Sequence, residues 1–177
     1  MPVRISALEP DPEAVAAVAE LTAAVYRAGG YSSEQYEPAL RDVGSRVREA
    51  LVLVARDGAA PPGAPGALLG AATVATRGGR WADQAGPGEA VVRMLVVAPP
   101  ARGRGVGEAL MQACLEQARR DGCTLVRLSS QEEMTSAHRL YDRLGFTRTP
   151  EQDWSPEPGL VLRTYELALP SRAGSSA

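Results

Sequence analysis

Met94-Leu-Val-Val-Ala-Pro-Pro-Ala-Arg-Gly-Arg-Gly-Val-Gly-Glu-Ala-Leu110 carries an apolar, β-type run through two prolines and three glycines into a periodic helix. Where that helix begins, several N–H groups lack intrahelical acceptors and point along the positive end of its dipole. An anion, a phosphate above all, can satisfy them. Gly105 and Gly107 carry no Cβ to obstruct the approach, and Arg102 or Arg104 can add a charge-assisted contact. Read locally, the same residues also fit a tight, solvated strand-to-helix turn whose arginines serve solubility.

Two common nucleotide loops do not fit. A Walker A loop ends in Lys followed by Ser or Thr, and this chain has no lysine. A dinucleotide fingerprint reads Gly-x-Gly-x-x-Gly, whereas Gly103, Gly105 and Gly107 form Gly-x-Gly-x-Gly, with no convincing following strand bearing an acidic ribose ligand. The spacing points to the pyrophosphate of a different carrier.

At 177 residues the chain suits one α/β domain with a sizeable core, expected over residues 1–170 with a flexible tail at 171–177. Its 19 basic residues, all arginine, oppose 21 acidic ones. No basic block marks a nucleic-acid or membrane face, so neither partner is expected. Cys114 and Cys123 are too few and too differently placed for a disulfide framework and read as reduced, buried thiols. No leader pattern or membrane-length apolar run stands out, which predicts a soluble cytoplasmic protein. His138 is the single histidine, so a metal centre built on it has no partner of its kind, and no metal is expected.

Hydrophobic periodicity orders the elements. Val3 to Leu8 reads as a strand and Glu13 to Arg27 as a helix, with Val15, Val18, Leu21 and Val25 on one side. Ser32 to Glu49 reads as a second helical region interrupted by Pro38 and Gly44. Leu51 to Arg56 and Leu68 to Thr76 are predicted as an antiparallel pair of strands, and Gly/Pro-rich loops are expected at 58–66 and 78–88. Glu89 to Val97, Gly105 to Arg120 and Thr124 to Ser129 then form a β-α-β unit. A further helix spans Thr135 to Leu144, capped by Gly145; Phe146 starts a strand, and Val161 to Leu169 closes the sheet.

Arg102-x-x-Gly105-x-Gly107 after an apolar strand resembles the acyl-CoA signature of the GNAT superfamily of acyl-CoA-dependent N-acyltransferases. Ala137-His-Arg-Leu-Tyr141-Asp-Arg-Leu-Gly145-Phe146 resembles its second signature. Both stand in the family's order, and the resemblance covers roughly residues 3–169. It implies an α/β fold with a mixed, mostly antiparallel, twisted sheet of six to seven strands, flanked by about four helices and splayed at the central strands. It also implies acetyl-CoA as cosubstrate, a primary amine as acceptor, direct attack without a covalent enzyme intermediate, and a homodimer as one assembly. A non-catalytic acyl-CoA-binding or regulatory module is the alternative.

By that resemblance the cofactor contacts comprise backbone of Leu95, Val96 and Val97, the loop Arg102, Gly103, Arg104, Gly105, Val106, Gly107 and Glu108, and Ser130, His138 and Tyr141. Tyr141 matches the tyrosine whose hydroxyl approaches the thioester sulfur; from the residue alone it also reads as a half-buried packing aromatic. The oxyanion would meet backbone N–H groups near Leu95 to Val97. Glu89, at the start of the central strand, is the candidate base, though it also reads as a solvated strand end, and a water relay needs no dedicated carboxylate. His138 itself reads as an exposed or capping residue. The second signature often begins with Asn where this chain has Met134, so that residue's hydrogen bond is absent or supplied by Ser136 or Gln131. Glu132 and Glu133 read as caps of the later helix. Tyr26, Tyr31, Tyr36, Trp81 and Trp154 are candidates to line an acceptor cleft, and ordinary packing explains them nearly as well.

Overall fold

Alternation along β4 (Glu89–Val97) divides the molecule into two layers, because its successive side chains enter different cores on opposite faces of one sheet. The computed structural model describes residues 2–59 and 66–170. The tail expected at 171–177 and most of the loop expected at 58–66 lie outside the described residues.

The other strands are β1 (Val3–Ala7), β2 (Leu51–Asp57), β3 (Leu68–Ala75), β5 (Leu125–Ser130), β6 (Thr147–Arg148), β7 (Trp154–Glu157) and β8 (Leu160–Ala168). They run in the order β1-β2-β3-β4-β5-β8-β6, with β7 also paired to β8. Every pairing is antiparallel except β4 with β5, so the sheet is mixed and mostly antiparallel, as the resemblance implies. The eighth strand arises because the short β6 and β7 replace one longer strand after Phe146. Pro150 opens a single 3₁₀ turn between them.

Five α-helices flank the sheet: α1 (Pro12–Gly29), α2 (Glu37–Arg41), α3 (Val43–Glu49), α4 (Val106–Arg120) and α5 (Thr135–Arg143). The helical region expected from Ser32 is shorter and divided differently. Pro38 sits in the first turn of α2, where a missing N–H costs nothing, and Asp42 separates the helices while accepting from Ser45 N at 3.1 Å to cap α3. Gly145 (φ +83°) closes α5: its N–H reaches Asp142 O and the Phe146 N–H reaches Tyr141 O, at 3.1 and 3.0 Å.

Leu53, Ala55, Ala72, Val92 and Leu128 pack with Leu110, Met111 and Cys114 of α4 on one face. Val52, Val54, Ala71 and Val96 meet Val18 of α1 and Val43 of α3 on the other. Leu110 is fully buried, so truncating it to Ala would cost about 2–5 kcal/mol. Both cysteines are free and buried, and burial pushes the Cys114 thiol up to about 12. Among the described residues no helix is long and apolar enough to cross a membrane.

Two features open the sheet. β4 pairs with β5 only from Glu89↔Leu125 to Val92↔Leu128, after which the strands part. At the same point β4 bulges against β3: Thr73 pairs with Arg93 but Ala71 with Val96, leaving Met94 and Leu95 opposite Ala72. Met94 takes φ +51°, a left-handed conformation that a non-glycine residue holds at a cost of about 1–2 kcal/mol. The sequence reads as an unbroken strand here, because a bulge leaves hydrophobic composition unchanged.

Candidate active site

Gly105 occupies the position before α4 with φ +75°, and no side chain caps the helix. The N–H groups of the first turn therefore lack intrahelical acceptors. Gly103 is likewise left-handed (φ +74°), and a Cβ at either glycine would meet no protein atom within 4 Å. The space beside both glycines is thus open. Gly107 is different: a Cβ there would lie 3.5 Å from Val97, 3.6 Å from Leu140 and 3.7 Å from Leu95, ordinary packing contacts that join α4 to β4 and α5.

From this loop a cavity of about 670 Å³ runs into the gap between β4 and β5. Leu95, Val96, Val97, Arg102, Gly103, Gly105, Val106, Gly107, Glu108 and Tyr141, all singled out from sequence, line it. Arg104 is exposed and does not. Ser130 faces a second cavity, and His138 faces neither: its Nε2 lies 2.9 Å from Ser130 Oγ and 3.1 Å from Gln131 O, fastening α5 to the end of β5. Its ring is half-buried rather than exposed, and desolvation lowers its pKa.

Tyr141 is buried, its ring 5.2 Å from that of Tyr165 and 5.8 Å from that of Phe146. Burial, reinforced by Tyr165, raises its pKa above the ordinary tyrosine value, so the hydroxyl stays protonated and can donate. The ring thus packs as an aromatic, more deeply than the half-buried position expected, and also lines the larger cavity.

The second cavity, about 400 Å³, opens on the α1–α2 side. Tyr26, Tyr31 and Tyr36 line it together with Trp154, which lies in β7 and donates from Nε1 to Ser129 Oγ at 3.1 Å. Desolvation raises the pKa of Tyr26 and Tyr36. Trp81 is not part of it; the indole is buried among Leu40, Val91 and Met94 and donates to Ser45 Oγ at 3.1 Å. The two cavities share Tyr26, Tyr31, Val92, Arg93, Met94, Leu128, Ser129 and Met134, so they meet where β4 and β5 separate.

Glu89, the base expected from sequence, lines neither cavity. It sits at the paired end of β4, where its carboxylate accepts from Gly86 N at 2.7 Å and pairs with Arg127 at 3.1 Å. The expected caps of α5 also differ. Met134 precedes the helix with no side-chain hydrogen bond, Glu132 pairs with Arg163, and Glu133 is exposed at the rim of the larger cavity. Gln131, one of the proposed substitutes for the absent Asn, donates instead to Tyr31 O at 2.9 Å and ties β5 to the end of α1.

Sequence reasoning missed Arg93, Met94 and Glu157 as lining residues. Arg93 interrupts the apolar run of β4, which is a signal that it faces something other than core. Glu157, accepting from Ser33 Oγ at 3.1 Å across 124 residues, has no local signal.

The splayed α/β sheet thus has a bare helix N-terminus on one side of the gap and an aromatic cavity on the other. The chain matches the model of the acetyltransferase (GNAT) family over residues 16–146, and it belongs to that family. Among solved structures it is similar to an acetyltransferase of the GNAT family from Staphylococcus aureus Mu50 (TM-score 0.74, 12% identity, 96% of this chain and 100% of that one). It is similar also to the yncA protein of Salmonella typhimurium, solved with its cofactor acetyl-CoA (TM-score 0.65, 20% identity, 100% and 99%). The aminoalkylphosphonate N-acetyltransferase of Salmonella typhimurium LT2 is 38% identical over 58 residues, 33% of this chain. The match spans only 38% of that relative's length.

Proposed function

We propose that the chain transfers an acetyl group from acetyl-CoA to a primary amine by direct attack, the donor entering through the larger cavity and the acceptor through the smaller. The meeting of the two cavities at the β4–β5 gap carries this reading, because direct transfer requires both reactants to reach one point from different sides. The pyrophosphate is held by first-turn N–H groups of α4, with Arg102 at the rim, and the pantetheine amides pair with the free edge of β4 at Leu95 to Val97. These contacts use backbone, so the side chains need only be small or apolar.

An ammonium has no lone pair, and the attacking nitrogen must first lose a proton. Glu157 is the carboxylate that lines the acceptor cavity among the described residues, and it receives that proton through water. The C–N bond forms, the carbonyl oxygen takes negative charge beside the N–H groups of the β4 bulge, the nitrogen releases its second proton to water, and the C–S bond breaks to give a thiolate that takes up a proton from water. Tyr141 donates a hydrogen bond to the departing sulfur. Its raised pKa makes it a poor source of a free proton but keeps it a neutral donor, which suits stabilisation of a thiolate.

Calorimetric titration with acetyl-CoA and coenzyme A, alongside a folded Gly105→Trp control, tests the donor site. Saturable binding that disappears in the control is the expected result, followed by thiol release in the presence of amines. No binding by folded wild-type protein overturns the proposal, and binding without thiol release across a broad amine panel favours the non-catalytic module.

A further inference from the structure

We infer that the acceptor is a zwitterion: a primary amine with a carboxylate or phosphonate one or two carbons away and an apolar tail, its anion held by Arg93. This rests on the acetyl-transfer reading for the role of the cavity but is carried by the charges that face it.

Three charged side chains line the acceptor cavity among the described residues: Arg93, Arg127 and Glu157. Arg127 is fully engaged, paired with Glu89 at 3.1 Å and Glu166 at 2.7 Å and donating to the Gln84 carbonyl. Arg93 is not. Its one hydrogen bond among the described residues runs from Nη2 to Asp83 Oδ1 at 2.8 Å. Asp83 is itself 45% exposed and lines neither cavity. A guanidinium offers five donors in a planar fork suited to a two-oxygen anion, and Nε and Nη1 have no hydrogen bond among the described residues.

Position decides the class of acceptor. Arg93 lines both cavities, so it stands where they meet, at the throat the nucleophilic nitrogen must reach. A purely cationic amine would meet a like charge there, whereas an anion beside the nitrogen turns the repulsion into a contact. The rest of the cavity, with Tyr36, Trp154, Leu160 and Leu162, suits an apolar tail.

The test uses the full chain saturated with coenzyme A. Calorimetry compares phenylalanine and its aminophosphonate analogue with phenethylamine, and leucine with isoamylamine. At least one anionic compound is expected to bind about tenfold or more tightly than its anion-free counterpart, the scale of a charged hydrogen bond. Arg93→Gln should collapse that ratio, and Arg93→Lys should restore part of it. The carboxylate and phosphonate arms show which anion the throat prefers. Equal binding within every pair, or a ratio that survives Arg93→Gln, overturns the inference. Should the Arg93 variants not fold, Asp83→Asn exposes the same cation further and should raise the ratio; an unchanged ratio overturns the inference. Anion-selective binding without acetyl transfer would keep it and sink the transferase reading, and transfer without selectivity would do the reverse.

Discussion

The two halves of the cleft are made of different material. The donor half, from the β4 edge through the 102–108 loop to α4, presents backbone: glycines in left-handed conformation, an uncapped helix end and apolar side chains that serve mainly to pack. The acceptor half presents side chains from α1, the 31–36 segment, β4, β5 and the β7–β8 hairpin. On the proposed reading, a surface of N–H groups suits the part that every acyl-CoA shares, because its geometry is set by the chain path. A surface of Tyr, Trp, Arg and Glu suits a particular acceptor, because its character lies in side chains that a single substitution alters.

The largest expected effect breaks the donor half alone. Gly105→Trp places an indole beside the proposed anion site and strains a φ of +75°; acetyl-CoA affinity should fall on the order of a hundredfold or more, as two charge-assisted contacts are lost. Circular dichroism shows whether the fold survives, and retained affinity in a folded variant would break the contrast. Tyr141→Phe acts inside the larger cavity. Turnover should fall about ten- to a hundredfold, the scale of one hydrogen bond to a charged atom, while acetyl-CoA affinity stays within about twofold. An equal loss in both quantities would place the hydroxyl in ground-state binding instead.

The third effect reads the tyrosines of both halves through stability. Burial raises the pKa of Tyr26, Tyr36 and Tyr141 in the folded chain, whereas the unfolded chain releases these protons near pH 10. The folded state holds more protons above that pH, so the contribution to stability is complete below pH 10 and declines as pH rises. Denaturant titrations above pH 10 should show a loss approaching about 1.4 kcal/mol per pH unit for the buried Tyr141, with smaller contributions from the half-buried Tyr26 and Tyr36, and Tyr26→Phe should flatten the slope. The smallest effect separates backbone from packing. Gly107→Ala adds a methyl at ordinary contact distance inside a helix and should raise stability by about 0.5–1 kcal/mol. The same methyl should weaken acetyl-CoA binding by a few-fold, and a thermal melt beside a titration checks both.

How far the sequence could be read follows the same division. Residues 94–110 announce a strand, a turn and a helix end through local rules of apolar runs, proline and glycine, and the structure realises them within a residue. Gly145 closes α5 where the pattern placed it. The misreadings concern side chains whose surroundings come from distant segments. Glu89 looked like a cleft acid, but Arg127, 38 positions further on, takes its carboxylate. Trp81 looked like an overhanging loop aromatic, but Ser45 and the core around Leu40 enclose it. β7 was missed because Trp154-Ser-Pro-Glu157 has no strand pattern of its own and is held by pairing with β8.

By itself, the sequence determined the order of elements, the β4–α4–β5 unit and the bare helix end, since each is announced by local apolar periodicity and by backbone conformations that glycine and proline enforce; Tyr141 was placed beside that end only through the resemblance. The tertiary structure alone decided the bulge at Met94, the point at which β4 leaves β5, and the gathering of Arg93, Trp154 and Glu157 around one cavity. Those features depend on register between strands and on packing across more than a hundred residues, and no local pattern encodes a partner that far away.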